Sequence, residues 1–451
     1  MRRHQIADEF SSRFGHAPEY YVQAPGRVNL IGEHTDYNGF PVIPISIPFT
    51  INAAVSARRD NRISIANLES SYAPSAFDIE KEIPPSPSGH WANYVKAAVS
   101  QLATEVRSNL HGMDALFEGN IPASAGLSSS SALVIASALS LLAANSLKLP
   151  AIELAEMMAE GERYVGTQGG GMDQAICLLG QEGKSVKIDF FPLRCSYFPF
   201  PGDYSIIVAH SLIRAAKTEN ALVKYNRRPA ECRLAAAMIN SLYPVNPLMK
   251  RLGDLPRQEF YTGFKNIEDF IEATFPCQSY SLKTIAHVTG DTTEFLTMKY
   301  LLTRNGIPMP EPEDGFHIRQ RVLHILTEAD RVEMSCEALR NRNTDLFGRL
   351  MNESHVSCDV HYGISTPELN ALVSIMRDAG ALGARLTGAG FGGCAIALAD
   401  DSDILKIMEA VQELYYGKYL TDTRPELAKG KSGEDIVFSA KPSRGASVQP
   451  L

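Results

Sequence analysis

The stretch from which the fold can be predicted is Gly119-Asn120-Ile121-Pro122-Ala123-Ser124-Ala125-Gly126-Leu127-Ser128-Ser129-Ser130-Ser131-Ala132-Leu133. An apolar segment, Met113 to Phe117, precedes it, and a long apolar run, Ala132 to Leu147, follows its serines. This order predicts a strand, a loop of small residues and a helix. Small side chains let backbone N–H groups approach an anion, and the first turn of a helix carries unpaired N–H groups and positive potential. The stretch therefore predicts a phosphate site; the alternative is a serine-capped buried helix.

Composition excludes several classes of protein. The chain has 451 residues, 45% of them hydrophobic, and a net charge of −8, without a basic tract. Nucleic acid and anionic membrane surfaces are therefore not expected partners. No apolar run reaches the roughly 18–20 residues that span a bilayer, and the start lacks a signal-peptide pattern. Seven cysteines without CxxC spacing indicate neither a zinc site nor a disulfide framework, so we expect a cytoplasmic protein.

Upstream, a second segment concentrates polar groups between two strand-like stretches. It runs Gly26-Arg27-Val28-Asn29-Leu30-Ile31-Gly32-Glu33-His34-Thr35-Asp36-Tyr37-Asn38-Gly39, after Tyr20 to Val22 and before Val42 to Ile47. We interpret it as a loop that carries a cation, two carboxylates and an imidazole. A metal site is one alternative, although metal ligands on helices recur at i, i+4. A ring of hydrogen-bonding groups for a polyhydroxylated ligand is another, and an exposed polar hairpin is the third.

Downstream, the helical pattern Ala151 to Val165 carries Glu162 near its end and is followed by Gly169-Gly170-Gly171-Met172-Asp173-Gln174. Three glycines before an acid are typical of backbone that lies against a ligand beside a positioned carboxylate, or of a flexible hinge. Trp91, the single tryptophan, opens another helical pattern and is interpreted first as a core residue.

The second half of the chain is mostly helical in pattern. We predict a helix from Arg214 to Leu242 with a break at Pro229, and a strongly helical pattern predicts another from Ile318 to Leu350. A glycine-rich segment follows, Leu386-Thr387-Gly388-Ala389-Gly390-Phe391-Gly392-Gly393, and it leads into the β-like stretch Cys394 to Leu398. Although GxGxxG is present, the dinucleotide-binding fingerprint must open a helix, so we predict a glycine loop between two strands.

Taken together, the three glycine-rich segments resemble the motifs of the GHMP small-molecule kinases, and more narrowly those of the galactokinase family. The matching stretches are Gly26 to Gly39, Gly126 to Ala132, and Leu386 to Gly393, with further similarity at Met172-Asp173-Gln174 and Trp91-Ala92-Asn93-Tyr94. The resemblance implies an α+β fold of two lobes with mixed sheets and flanking helices, with the active site in the cleft between them. Residues 1–200 and 201–451 are the expected lobes, and the tail is a candidate to return to the first.

For catalysis and the sugar, the resemblance implies a role for each matching position. Asp173 is the expected acid/base carboxylate and Arg27 the cation beside the transferring phosphoryl group. The residues implied to line the sugar pocket are Glu33, His34, Thr35, Asp36, Gly170, Gly171 and Tyr225.

For the nucleotide, the resemblance places Trp91 near the adenine. It implies that the loop Ser124, Ala125, Gly126, Leu127, Ser128, Ser129 and Ser130 holds ATP. Ser130 and Glu162 are the implied Mg²⁺ ligands. The expected partners are a small sugar and ATP, and we expect the protein to act as a monomer.

The implied reaction is ATP-dependent phosphorylation of galactose at its anomeric C1 hydroxyl. N-acetylgalactosamine is the alternative acceptor, since Gly166 to Gln174 and Glu231 to Ala236 resemble a branch that includes both kinases. Thr35 and Asn38 keep the form typical of galactose-specific members. A non-catalytic galactose sensor is a third possibility; such proteins have a shortened serine loop, whereas Ser128 to Ala132 is complete here.

Overall fold

The computed structural model describes residues 2–87, 89–106, 109–122, 126–166, 169–213, 219–302, 306–428 and 436–451. Its strands are β1 (Tyr20–Ile31), β2 (Ile43–Ala57), β3 (Arg62–Asn67), β4 (Ser75–Asp78), β5 (Met113–Gly119), β6 (Lys184–Asp189), β7 (Arg194–Pro199), β8 (Tyr204–His210), β9 (Gly383–Thr387), β10 (Cys394–Asp400), β11 (Val437–Ala440) and β12 (Ser447–Pro450).

The α-helices are α1 (Arg2–Phe14), α2 (Ala92–Glu105), α3 (Ser129–Ala144), α4 (Ala151–Gly161), α5 (Met172–Leu179), α6 (Glu219–Leu242), α7 (Ile267–Thr274), α8 (Leu282–Thr289), α9 (Thr293–Tyr300), α10 (Ile318–Arg340), α11 (Thr344–Ser357), α12 (Pro367–Asp378), α13 (Ile404–Ala410), α14 (Leu420–Thr423) and α15 (Pro425–Ala428). Short 3₁₀ turns include Asp36–Asn38 and Glu162–Val165, and π-helical turns include Cys358–Tyr362 and Val411–Tyr419.

Three sheets organise the described chain. The largest has the strand order β12-β1-β2-β5-β3-β4, the second has the order β11-β8-β10-β9, and β6 pairs with β7. All neighbours are antiparallel except β3 and β5, which are parallel. The predicted α+β class with mixed sheets is thereby confirmed. Helices α2 and α3 pack on the first sheet through a core that includes Val95, Phe117 and Val134, while α6, α10 and α12 enclose a second core.

The end of the chain pairs with its beginning. Strand β12 lies antiparallel to β1, with Tyr20 opposite Pro450 and Gln23 opposite Ser447. The tail therefore belongs to the same sheet as the residues around Arg27. A lobe boundary at residue 200 stays a prediction.

Arg27 lies within a strand and not in the loop that we predicted from the sequence. Strand β1 continues through Arg27 to Ile31, with register shifts between Pro25 and Arg27 and between Asn29 and Ile31. Such bulges bend a strand and redirect its side chains. The loop is therefore shorter than predicted, and the cation is held by the sheet.

Two helix predictions also need correction. Helix α6 passes through Pro229 without a break, since Arg228, the residue before it, donates to the carbonyls of Tyr362 and Gly363 and anchors the helix there. The predicted helix from Ile318 to Leu350 is two helices, because the Asn343 side chain accepts from the N–H of Leu346 and begins α11. By contrast, the glycine-rich segment 388–393 does connect two strands, β9 and β10, as predicted.

Candidate active site

The loop before α3 lies between β1 and the glycine-rich segment 388–393. The N–H of Arg27 donates to the Leu127 carbonyl at 3.1 Å. A Cβ at Gly26 would come within 2.8 Å of that oxygen, and a Cβ at Gly388 within 2.8 Å of the Gly126 oxygen. Glycine is therefore required on both sides for this close packing. Ser124 and Ala125, which we predicted to contact the nucleotide, lie outside the described residues.

The start of α3 has no side-chain cap from the residue that precedes it. Ser128, the residue before the helix, has a φ of 60° and makes no capping bond with its side chain. The first helical bond to it comes from the N–H of Ala132. The N–H groups of the preceding turn lack intrahelical partners by geometry and, with the helix dipole, form a site for an anion. Ser129 and Ser130 in this turn are partly exposed.

Arg27, Asp173 and Ser128 form one hydrogen-bonded cluster at this helix start. Arg27 Nε donates to Asp173 Oδ1 at 2.7 Å, and Arg27 Nη1 donates to the Gly126 carbonyl at 2.6 Å. Ser128 Oγ donates to Asp173 Oδ2 at 2.5 Å. The Ser128 hydroxyl therefore orients the Asp173 carboxylate and does not cap α3. The two predicted catalytic residues lie together, although 146 positions separate them in the chain.

Asp36 adjoins this cluster through the start of α5. Its Oδ2 accepts from the N–H of Gly170 at 3.1 Å. A Cβ on Gly170 would lie 2.3 Å from the Tyr37 nitrogen, so glycine is needed at that position. Burial raises the pKa of the Asp36 carboxyl to about 6; the charge of Asp173 adds to the rise, and backbone N–H bonds oppose it. Gly171, with a φ of 103°, precedes α5 and lets the chain turn into the helix.

Glu33 is almost completely buried and forms an ion pair with Arg385, whose Nη2 lies 3.0 Å from Glu33 Oε2. The pair is not aligned as a hydrogen bond, and Glu33 Oε2 makes none within the described residues. Burial raises the pKa of the Glu33 carboxyl to about 7, although Arg385 and Arg27 act in the opposite direction. The balance between burial and the two arginines therefore leaves the pKa of the Glu33 carboxyl close to neutral pH.

His34 lies among aromatic rings, with both of its ring nitrogens hydrogen-bonded. Nε2 lies 3.2 Å from the carbonyl of Ala389, which can only accept, so Nε2 carries the proton. Nδ1 then accepts from the Tyr37 hydroxyl at 2.9 Å, which in turn accepts from Tyr362 at 2.7 Å. Burial lowers the pKa of His34 to about 3, so the ring is neutral. The Tyr225 ring lies 5.6 Å from it, between centroids.

Thr35 is fully buried, and its hydroxyl, which has one hydrogen to share, lies 2.9 and 2.8 Å from the Gly32 and Pro41 carbonyl oxygens. The side chain closes the loop on itself. A direct contact between Thr35 and a sugar stays a prediction, and any such contact would compete with these bonds.

The carboxylate of Glu162 faces the same end of α3. It accepts from Ser131 Oγ at 3.0 and 3.1 Å and from the side-chain amide of Gln174. Glu162 therefore lies against the first turn of α3, which also carries Ser130, the other predicted metal ligand. No cluster of three or more metal-binding side chains occurs in the part of the chain that the structure describes.

Trp91 is a core residue with one polar contact. The residue is 7% exposed, its ring packs edge-on against Phe117, and Nε1 donates to the Ala73 carbonyl at 2.9 Å. The interpretation as a core residue is confirmed, and the adenine contact stays a prediction.

Three residues beside this site were not predicted from the sequence: Arg385, and His324 and Glu328 of α10. All three are fully buried and contact the segment 29–33. One signal was present in the sequence: Arg385 immediately precedes the third glycine-rich motif. The polar residues of α10 recur at helical spacing, but nothing local indicates the segment that they contact.

Family models match three parts of the chain. A galactokinase galactose-binding signature covers residues 8–57, the N-terminal domain of GHMP kinases covers 93–181, and the C-terminal domain covers 336–417. The first match contains the loop with Glu33 and Asp36, and the second contains the start of α3 together with Asp173.

Whole-chain relatives agree with these matches. The galactokinase of Dictyostelium discoideum is 34% identical over 99% of this chain and 94% of its own length, and that of Saccharomyces cerevisiae is 31% identical over the same shares. A crystal structure of Lactococcus lactis galactokinase complexed with galactose matches 99% of this chain and all of its own with a TM-score of 0.78, at 27% identity. A mevalonate kinase structure, at 17% identity and a TM-score of 0.53, shares the fold.

Proposed function

The chain belongs to the galactokinase family of GHMP kinases and is an enzyme that phosphorylates galactose, and we propose that it transfers the γ-phosphoryl group of ATP to the anomeric C1 hydroxyl. The observation that carries this proposal is the contact of Arg27 and Ser128 with Asp173 at the uncapped start of α3. A cation, a carboxylate and a helix N-terminus are the groups that phosphoryl transfer to a hydroxyl needs.

Asp173 acts on the sugar hydroxyl. Its two oxygens are oriented by Arg27 and Ser128, and its side chain is 27% exposed, so an incoming hydroxyl can reach it. The carboxylate orients that hydroxyl and accepts its proton. The hydroxyl oxygen bonds to the γ-phosphorus, the bond from that phosphorus to the ADP oxygen breaks, and ADP leaves. General-base assistance of this kind contributes about 10²–10⁴-fold. Arg27 stabilises the negative charge that develops on the phosphoryl oxygens.

The sugar lies against the segment 33–36 and the start of α5. Asp36 and Glu33 accept from its hydroxyl groups, Gly170 and Gly171 allow close approach, and the ring of Tyr225 forms a wall beside His34. His34 also stays a predicted sugar contact, for which one ring nitrogen would exchange its protein partner for a hydroxyl.

The phosphates of ATP lie at the N–H groups of the first turn of α3, where the uncapped helix start fits an anion. The Ser130 hydroxyl and the Glu162 carboxylate fit Mg²⁺, which prefers oxygen ligands, and the ion would neutralise phosphate charge. Ser131 and Gln174 orient the Glu162 carboxylate toward this turn.

We extend the proposal to a monomer that acts in the cytoplasm. A net charge of −8 opposes contact with nucleic acid or anionic lipid. Among the described residues, no helix has both the length and the apolar character that crossing a bilayer requires. Light scattering coupled to gel filtration tests the oligomeric state, since a monomer should have the chain mass of 49.3 kDa.

The test of the function is a coupled ADP-release assay with galactose and N-acetylgalactosamine in parallel, followed by NMR of the product. The proposal predicts sugar-dependent ADP release with galactose and a phosphorus coupling to the anomeric proton. Turnover with N-acetylgalactosamine at higher kcat/KM would reassign the acceptor. Binding of both ligands without ADP release would favour a sensor.

A further inference from the structure

Helix α10 carries buried polar side chains through a hydrophobic core. His324, Glu328 and Ser335 are completely buried, and Arg321 is 5% exposed. Burying a polar group costs free energy unless it finds hydrogen-bond partners. The partners of His324 and Glu328 therefore indicate what this side of the helix does.

Glu328 binds the backbone that leads into the candidate sugar site. Its Oε1 accepts from the N–H of Gly32 at 3.0 Å and from that of Glu33 at 3.3 Å. The same oxygen accepts from Ser354 Oγ at 2.5 Å, and Oε2 accepts from Arg331 Nε at 2.7 Å. Burial alone would raise the pKa of Glu328, but these charged and hydrogen-bonding neighbours lower it to about 2. The group is therefore an ionised carboxylate surrounded by donors.

His324, one turn earlier, binds the peptide unit that follows Glu33. Its Nε2 lies 3.0 Å from the carbonyl oxygen of Glu33, which can only accept, so Nε2 is the donor. Nδ1 accordingly accepts from Ser357 Oγ at 2.8 Å. Burial lowers the pKa of His324 to about 4, so this arrangement of one donor and one acceptor holds at neutral pH.

The backbone between these contacts needs support. Gly32 has a φ of +94° and His34 a φ of +63°, so Glu33 lies between two residues in the left-handed region. A non-glycine residue held there stores strain that the surrounding structure must offset. The helix also approaches closely, because a Cβ on Gly32 would lie 3.0 Å from Val332 Cγ2 of α10.

We propose that His324 and Glu328 are positioning residues for the sugar: by holding the N–H and carbonyl groups of residues 32 and 33, they fix the direction in which Glu33 and the following residues reach the substrate. The inference rests on the proposed function, since it assigns Glu33 to the sugar pocket. Neither α10 residue touches the reacting atoms.

A positioning role differs measurably from a purely structural one. Loss of a structural contact lowers the fraction of folded enzyme, which reduces the apparent kcat and leaves both KM values unchanged. Loss of a positioning contact disturbs the sugar site in the folded enzyme. The KM of galactose then rises, while the KM of ATP, which binds at α3, stays within about twofold.

Glu328→Gln is the first test because both carboxylate oxygens of Glu328 face hydrogen-bond donors, so an amide nitrogen has no acceptor at either position. Wherever the amide nitrogen is placed, it faces either Arg331 or the N–H groups of residues 32 and 33. We expect the KM of galactose to rise about tenfold, the scale of one lost charge-assisted hydrogen bond. Ser335→Ala is the matched control: Ser335 is buried on the same helix, and its hydroxyl finds no partner among the described residues, so the KM should not change.

A second pair of variants tests the proposal if Glu328→Gln fails to fold. A glutamine side chain has an NH₂ group that can donate and a carbonyl oxygen that can accept, in place of the N–H donor and the nitrogen acceptor of neutral histidine, so His324→Gln should keep the galactose KM within about threefold. His324→Leu supplies neither and should raise it about tenfold. This rescue distinguishes hydrogen bonding from packing volume.

The outcomes separate the two claims. A wild-type enzyme that releases no ADP with galactose contradicts the proposed function. If the wild-type enzyme is active, an unchanged galactose KM in folded Glu328→Gln or in His324→Leu contradicts the positioning role, as does an equal rise in the KM of ATP.

Discussion

Asp173→Asn is the substitution that separates chemistry from binding most cleanly in this site. Asparagine fits the existing contacts: its Oδ1 accepts from Arg27 Nε, as Asp173 does at 2.7 Å, and its amide nitrogen can donate to Ser128 Oγ. The variant should therefore fold. It loses the proton acceptor and the negative charge beside Arg27.

The size of the effect follows from these contacts. Loss of the general base should lower kcat by about 10²–10⁴-fold, which corresponds to ~3–5 kcal/mol of transition-state stabilisation. Galactose affinity should change less than about tenfold, because the Asp36 side chain and Gly170 remain in place. The unfolding free energy should fall by about 1–2 kcal/mol, since the ion pair is lost while both hydrogen bonds persist.

Single-turnover ADP release measures the chemical step, and isothermal titration with galactose measures binding. Ser128→Ala is the control: it removes the hydroxyl that orients Asp173 but keeps the base, and kcat should fall about tenfold or less. If Asp173→Asn keeps kcat within tenfold of the wild-type value, or loses galactose binding altogether, the assignment of Asp173 as the base is wrong.

Three further predictions concern the surroundings of this carboxylate. Gly170→Ala should raise the KM of galactose at least tenfold, because its Cβ would lie 2.5 Å from Asp36. Gly169→Ala is the control, since its Cβ would meet nothing within 4 Å, and equal galactose KM values for the two variants would contradict the prediction. Arg27→Met should lower kcat by about 10²–10³-fold in steady-state assays, since it removes the cation beside the phosphoryl group, and a loss below tenfold would be inconsistent with that role. Galactose affinity, measured by titration calorimetry, should fall as the pH drops from 8 to 5.5. Glu33 and Asp36, with pKa values of about 7 and 6, become protonated over this range and lose acceptor capacity, and each can lower the affinity by up to about tenfold per pH unit. An affinity that does not change with pH would exclude both residues from sugar binding.

Much of the site was predictable because its signals are local. Glycines beside a serine run and before Asp173 mark places where the backbone must lie against something, and the structure brings both segments together with Arg27. The resemblance to galactokinases supplied the order of these motifs. The hydrogen-bond geometry could not be predicted. Ser128 donates to Asp173 and does not cap α3, because its backbone is in the left-handed conformation.

The residues that were not predicted from the sequence make contacts across long separations in the chain. Glu328 contacts Gly32 from 296 positions away, and Arg385 reaches Asn29 from 356. No local periodicity contains that information, because the contact depends on how two halves of the chain pack. The error at Pro229 has a similar origin, since Arg228 anchors that turn through carbonyls more than 130 positions away. In both cases tertiary contacts outweigh local preference.

The central claim is that one sugar hydroxyl meets Asp173 while the phosphates of ATP lie at the start of α3. A crystal structure with galactose and a non-hydrolysable ATP analogue tests it most directly. We predict the C1 hydroxyl within hydrogen-bond distance of Asp173, and the terminal phosphate against the first turn of α3 beside Arg27. A sugar that presents another hydroxyl to Asp173, or a triphosphate bound away from α3, would contradict the account.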